Sequence, residues 1–293
     1  MNKTLISSSS NSTSSYVNVF ILPHAGGVAN TYANAFPEAE FNVHVHEYPG
    51  RGFRRSETFA TSIKDLAKDA LKSIMSEFDR PYVLFGHSMG ALVAFEICRV
   101  LRREKYPLPL LVVLSSSLPK PCDCIVKSSD IVNTLREKGW WMGNETTANS
   151  ALIADIEAYK EYAPEKIVDF SSSYLLVTAE DDNAISKLEI KKEWNRYIKI
   201  KDDLVVVPSP ANHFYPLERT EDTTRLIRSK IQNMLSSRPI SVLSGPSFPS
   251  TYDMQNETID SIILKTASRR ASEIVIVDGS IELTHAQVVS RAM

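Results

Sequence analysis

Runs of apolar residues alternate along this chain with stretches in which apolar positions recur every three or four residues. Val17 to Leu22 (V-N-V-F-I-L) is β-rich and ends at Pro23 and Gly26-Gly27, which predicts a strand followed by a tight loop. Phe41 to Tyr48 sets Val43 and Val45 between polar residues and stops at Pro49-Gly50, a second strand. Over Ser62 to Phe78 the apolar positions Ile63, Leu66, Ala67, Ala70, Leu71, Ile74, Met75 and Phe78 share one helical face. Ser62 with Asp65 three residues on has the look of a capping box. Tyr82 to Phe85 and Leu110 to Leu114 are short continuous apolar runs, as expected of strands buried on both faces. Ala91 to Leu101 is apolar at helical spacing, Tyr174 to Thr178 and Leu204 to Val207 read as two more strands, and Thr223 to Leu235 reads as a closing helix. Strands alternating with helices predict an α/β domain whose mostly parallel sheet carries helices on both faces.

Three segments break the rhythm. Between Pro119 and Pro164 no strand pattern occurs; Ile131 to Lys138 and Ala151 to Tyr162 are helical, with Gly139-Trp140-Trp141 between them. An insertion of this kind after a central strand commonly serves as a lid. Pro239 to Asn256 is rich in Ser and Pro and reads as a linker, giving a domain over residues 16–237 and a linker over 238–256. Beyond it come a helix-like stretch (Thr258 to Ala267), a strand (Ile274 to Val277), an Asp278-Gly279 turn, and the start of another element. At the other end, Met1 to Ser15, with Ser7 to Ser10 in a row, reads as a disordered tail.

Composition narrows the class without naming a chemistry. The chain has 293 residues, 43% hydrophobic and 23% charged, enough for one large domain and a smaller piece. A net charge of -2 points to neither nucleic acid nor an anionic membrane as the main partner. The three cysteines (Cys98, Cys122 and Cys124) form no disulfide framework, and C-D-C without a nearby His is a poor metal site, so no metal is expected. With no apolar leader in the N-terminal segment and no run long enough to span a bilayer, a cytoplasmic protein is expected.

The chemistry is concentrated at Gly86-His87-Ser88-Met89-Gly90, a G-x-S-x-G between a buried strand and an amphipathic helix. That context is what a nucleophile elbow needs, and it predicts Ser88 as nucleophile, lifted to the top of the sheet at a helix N-terminus. The Met89 amide there is a candidate oxyanion donor. A hydroxyl needs a base. Of six histidines, His213 follows a late strand, which is where a Ser…Asp…His chain order requires it. His87 lies inside the elbow and should point away from Ser88. The acid should follow the strand Tyr174 to Thr178, where Glu180, Asp181 and Asp182 stand together; Asp182 is preferred over Asp181. A second oxyanion donor should come from the loop Pro23-His24-Ala25-Gly26-Gly27, with the Ala25 amide the candidate and His24 beside it.

With these pieces in place the sequence resembles the type II thioesterases that accompany non-ribosomal peptide and polyketide synthases. The matching pieces are F-I-L-P-H-A-G-G (Phe20 to Gly27), Y-P-G-R-G (Tyr48 to Gly52), G-H-S-M-G (Gly86 to Gly90), A-E-D-D (Ala179 to Asp182) and N-H-F (Asn212 to Phe214), within roughly Tyr16 to Ser237. The resemblance implies an α/β-hydrolase fold and hydrolysis of acyl groups from the phosphopantetheine arm of a carrier domain, with no cofactor. It supports Asp182, because the family acid ends a G-x-x-D stretch and Ala179 stands where that Gly is usual. Trp140 and Trp141, where the family has smaller residues, either narrow the acyl chamber or pack the lid. Separately, Glu257-Thr258-Ile259, Ile274 to Gly279 and Leu283 to Gln287 resemble the opening of a peptide-synthetase adenylation domain, which implies a synthetase partner at the C-terminal end and an adenylation-domain fragment over residues 257–293. Two readings compete with the thioesterase: an acyltransferase or cyclising enzyme with the same triad, and a non-catalytic module that docks carrier domains.

Overall fold

The computed structural model describes residues 5–8, 17–33, 41–77, 81–121, 131–137, 150–165, 173–182, 185–200, 204–237, 274–278 and 281–284. The chain divides into two compact units, Met1–Leu235 and Ser236–Met293.

The first unit is built on a seven-stranded sheet. In chain order its elements are β1 (Leu5–Ser8), β2 (Asn18–Leu22), α1 (Ala29–Tyr32), β3 (Asn42–His46), α2 (Ile63–Ile74), β4 (Tyr82–His87), α3 (Met89–Arg103), β5 (Leu111–Ser115), α4 (Ile131–Glu137), α5 (Ser150–Lys160), β6 (Ser173–Ala179), α6 (Lys187–Trp194), β7 (Val205–Val207), α7 (Tyr215–Glu218) and α8 (Thr220–Ser237). Across the sheet the strands run β1-β3-β2-β4-β5-β6-β7. Every neighbouring pair is parallel except β1 with β3. The α/β-hydrolase expectation holds. The chain steps from β2 outward to β3 and then crosses back to β4, so the strand order reverses at β2. Ligands of open α/β sheets bind beyond the strand C-termini at such a reversal.

Alternation along each strand splits the core in two. Phe20, Leu22, Leu84, Val112, Leu114 and Leu176 face α2, α3 and α6, while Val19, Ile21, Val43, Val45, Val83, Phe85 and Val113 face α1 and α8. Because both faces are covered, β2, β4 and β5 are buried from end to end, which is why they read as continuous apolar runs. Helix α2 starts where Ser62 Oγ accepts the Asp65 N–H at 3.1 Å. The other half of the box differs from expectation: the Asp65 carboxylate accepts the Ser62 hydroxyl at 2.7 Å. Trp194 closes α6 fully buried, its indole N–H donating to the Ser117 carbonyl at 2.9 Å.

One expectation is corrected. Within the segment read as a disordered tail, Leu5–Ser8 forms a strand paired antiparallel with β3, from Leu5 opposite His46 to Ser8 opposite Val43. A sheet edge offers a row of backbone N–H and C=O groups, and a strand can add there through backbone pairing with little demand on side chains. Short helices at Ala29–Tyr32, Lys187–Trp194 and Tyr215–Glu218 were also not anticipated.

In the second unit β8 (Ile274–Asp278) and β9 (Ile281–Thr284) form an antiparallel hairpin, with a register shift between Ile274 and Ile276. The expected linker, the expected helix Thr258 to Ala267, Trp140, Trp141, Cys122, Cys124 and His285 lie outside the described residues. Among the described residues no helix is long and apolar enough to cross a membrane.

Candidate active site

Strand β4 delivers Ser88 to the sheet's C-terminal edge, and helix α3 begins at the next residue. The turn between them is sharp enough that Ser88 adopts φ 54° and ψ −119°, a conformation side-chain-bearing residues rarely hold. It is held there from outside, because the Ser88 N–H donates to the Ser115 carbonyl of β5 at 2.8 Å. The flanking glycines are required by contact. A Cβ on Gly90 would lie 2.0 Å from the Leu22 carbonyl oxygen, and one on Gly86 would lie 2.3 Å from the Gly90 carbonyl oxygen. Both obstacles are backbone, so a methyl group has nowhere to go. The elbow therefore packs directly against the end of β2, which brings the His24–Gly27 loop beside Ser88.

His213 sits in the loop after β7, 3% exposed. Its Nδ1 lies 2.8 Å from Asp182 Oδ2. A carboxylate only accepts, so Nδ1 carries a proton, and the neutral tautomer this contact selects has its lone pair on Nε2, as a general base requires. The three neighbouring acids are sorted by where each side chain goes. Asp182 is buried. Asp181 is exposed, and its carboxylate accepts the Ala211 N–H at 2.9 Å, which holds it below the usual carboxylate range. Glu180 pairs with Lys187 at 2.5 Å in solvent.

Ser88 and His213 line one pocket, together with His24, Ala25 and Met89. Met89 is the first residue of α3, where the opening N–H groups of a helix have no intrahelical acceptor. His24 shares a 2.6 Å hydrogen bond between its Nδ1 and the Tyr32 hydroxyl, and its ring meets that of Phe214 edge-on at 5.1 Å. Burial among these rings, reinforced by the nearby His213 and Arg51, pushes the His24 pKa down to about 3, so the ring is neutral. The His87 ring lies behind the site, 5.1 Å from the His213 ring and 6.0 Å from that of His24. It is fully buried, and its Nδ1 is 2.8 Å from Ser115 Oγ, which in turn bonds the Tyr215 hydroxyl at 2.7 Å.

The rest of the pocket wall was not read from the sequence. Leu135 of α4 and Leu152, Ile156 and Tyr159 of α5 cover it, with Ser116 and Ser117 from the end of β5 opposite. The signal was there in part, since Leu152, Ile156 and Tyr159 recur at spacings of four and three on one helix face. The two described helices of the insertion thus contribute side chains to the pocket wall. The arrangement joins a strained serine, a histidine held by a buried carboxylate, the N-terminus of a helix and apolar pocket walls, a set suited to acyl transfer.

The sequence pattern of the thioesterase domain matches residues 17–231. The chain belongs to this thioesterase family. A relative of similar length is the gramicidin S biosynthesis protein GrsT of Aneurinibacillus migulanus, 30% identical over 81% of this chain and 97% of that protein. Phenyloxazoline synthase MbtB of Mycobacterium tuberculosis is 38% identical over 104 residues, which are 34% of this chain and 7% of that much longer protein. Among solved structures, the thioesterase superposes on YbtT, the type II thioesterase of the yersiniabactin pathway, with a TM-score of 0.67 at 21% identity, over 80% of this chain and 99% of that one. The RedJ thioesterase of the prodiginine pathway in Streptomyces coelicolor gives 0.61 at 24% identity, over 75% and 91%. These two superpositions carry the fold.

Proposed function

We propose that this thioesterase is a serine hydrolase that cleaves acyl or aminoacyl thioesters from the phosphopantetheine arm of a carrier domain in peptide or polyketide biosynthesis. The observation that carries the proposal is the buried Asp182–His213 pair set on the same pocket as Ser88, in a chain of the thioesterase family. Ser88 Oγ attacks the thioester carbonyl as His213 Nε2 takes its proton. The oxyanion so formed is met by the Met89 and Ala25 amides. Collapse expels the thiolate, which receives the proton from His213, and leaves Ser88 acylated. Water, deprotonated by His213, then attacks the ester and releases the acid and the free hydroxyl. Asp182 keeps the imidazole in one tautomer and offsets the imidazolium charge. No step calls for a cofactor.

The apolar side chains of Leu135, Leu152 and Ile156 and the ring of Tyr159 that line the pocket favour an acyl chain over a polar group. The relatives support a carrier-bound substrate, being named for gramicidin S biosynthesis and phenyloxazoline synthesis. In this reading the enzyme works in the cytoplasm, and the hairpin-containing second unit is the opening of an adenylation domain that joins it to a synthetase.

The test is intact-protein mass spectrometry of an acyl-loaded carrier domain incubated with wild-type enzyme or with Ser88→Ala. Loss of the acyl mass with the wild type alone, together with free acid, is expected. An acyl mass that persists under short-chain, long-chain and aminoacyl loads rejects the hydrolase and leaves a transferase or a docking module.

A further inference from the structure

One buried ion pair has no part in the proposed reaction, yet touches the loop that serves it. Asp155, on the pocket-covering helix α5, is 1% exposed, and Arg51, in the Pro49-Gly50-Arg51-Gly52 loop after β3, is 4% exposed. Arg51 grips the carboxylate with both terminal nitrogens, at 2.5 and 2.7 Å, and its guanidinium lies 5.3 Å from the Tyr48 ring centre. Asp155 Oδ2 also accepts the Gly26 N–H at 2.7 Å. That third contact is what distinguishes the pair from a strut. Gly26 has φ +76°, and the Gly27 N–H donates to the His24 carbonyl at 3.0 Å. This is a type II turn, with His24 first and Gly26 third. Type II differs from type I by rotation of its central peptide, here Ala25–Gly26. A carboxylate beside that peptide accepts the N–H and repels the carbonyl, so it selects one of the two orientations.

We propose that Arg51 and Asp155 are positioning residues for the oxyanion turn: the carboxylate, fixed by Arg51, anchors the Gly26 N–H and so fixes the turn whose preceding peptide, His24–Ala25, carries the Ala25 amide. The inference rests on the reading of Ala25 as an oxyanion donor. It has a further consequence, because Asp155 belongs to the helix that supplies Leu152, Ile156 and Tyr159 to the pocket. Leu152 packs so closely on the turn that a Cβ at Gly26 would lie 2.9 Å from its own Cβ. Seating α5 over the acyl chamber and setting the oxyanion turn are therefore one event. A helix lifted away takes the Gly26 acceptor with it.

A pair that merely braces the fold makes the opposite prediction about its apolar replacement, since a well-packed apolar pair often restores the stability that a broken buried ion pair loses. The experiment compares wild type, Asp155→Leu and the double variant Arg51→Met with Asp155→Leu. Each is measured for melting temperature, for kcat and KM on an N-acetylcysteamine acyl thioester, and for the rate at which a fluorophosphonate labels Ser88. The phosphonyl oxygen uses the same amide donors as the acyl oxyanion, so labelling reports on the turn without requiring turnover. The double variant is expected to melt within about 5 °C of wild type. Its kcat and labelling rate should both remain at least about 10-fold low, with KM within about threefold, since losing one oxyanion donor outright costs about 10² to 10³ in kcat. Recovery of kcat and labelling along with the melting temperature overturns the proposal. Should the double variant not fold, Asp155→Ala, which removes the acceptor of the Gly26 N–H, is scored in the same way after normalisation to folded enzyme, and an unchanged kcat overturns it equally. If the wild-type enzyme cleaves no thioester while the fluorophosphonate still labels Ser88, the proposed function fails, and the labelling rates alone decide the role of Arg51 and Asp155.

Discussion

Changing Asp182 and Asp181 separately to Asn tests the assignment of the acid at single-residue resolution. In the wild type, Asp182 Oδ2 is 2.8 Å from His213 Nδ1, and the carboxylate is enclosed. An Asn there can turn its NH2 toward Nδ1, which forces the imidazole proton onto Nε2, the atom that must accept the proton of Ser88. The imidazolium formed in the transition state also loses its buried counter-charge. In the serine protease triad the equivalent change costs about 10⁴ in rate, which at 1.36 kcal/mol per factor of ten is about 5 kcal/mol of transition-state stabilisation. Asp181 is exposed and accepts the Ala211 N–H and a side-chain hydrogen bond from Ser209, both of which an Asn oxygen accepts as well. Its replacement should change kcat/KM by no more than about twofold, the scale of an ordinary surface substitution. The assay is thiol release from an N-acetylcysteamine thioester, normalised to folded enzyme by its melting transition. A loss under about tenfold for Asp182→Asn, when the expectation is set by the tautomer argument, refutes the reasoning. So does an Asp181→Asn variant that falls as far as Asp182→Asn.

Other perturbations follow from the same geometry. Gly90→Ala forces a methyl group to within 2.0 Å of the Leu22 carbonyl oxygen, and should cost about 3 kcal/mol in urea unfolding as well as most of the activity. The neutral His24 sets a pH dependence of stability: its pKa is about 3 folded and about 6.5 unfolded. The unfolded chain thus binds the extra proton between these values, and stability falls as pH drops from 6.5 toward 3. His24→Gln should flatten that slope by up to one proton in urea melts across the window, and an unchanged slope places the titration elsewhere. Leu152→Ala or Ile156→Ala lengthens the chamber, and should raise the ratio of kcat/KM for octanoyl over acetyl thioester by about tenfold, the scale of one methylene in an apolar pocket.

Much of the fold was legible because it is local and repetitive. β2, β4 and β5 are buried on both faces, so their sequences are continuous apolar runs bounded by Pro and Gly. The elbow was legible because backbone contacts of 2.0 and 2.3 Å leave glycine as the residue that fits at Gly90 and Gly86. The acid was harder, since Glu180, Asp181 and Asp182 have similar composition and position, and what separates them is direction. One residue's step turns a side chain from the buried His213 to the backbone N–H of Ala211, and leaves Asp181 exposed. Strand β1 was missed for a different reason. It joins the sheet by pairing Leu5–Ser8 with His46–Val43, and an edge ladder leaves little trace in side-chain pattern.

The Arg51–Asp155 contact was beyond reach of any local reading. The two residues are 104 positions apart. Arg51 lies in a Gly-bounded loop, where a charge is ordinarily solvated, and Asp155 interrupts an apolar helix face, where a single acid ordinarily points to water. Each looks unremarkable alone, and the pattern quoted for family resemblance, Tyr48 to Gly52, carried no chemical role. The structure supplies the reason for both: a guanidinium fork brought from one loop satisfies a carboxylate brought from the covering helix, and the remaining lone pair of that carboxylate meets the Gly26 amide. Desolvating two charges is costly unless the geometry is good and the leftover lone pairs are used. Here the leftover lone pair is used on the turn beside Ser88. In the proposed reaction, that makes the covering helix answerable to the oxyanion turn as well as to the acyl chain.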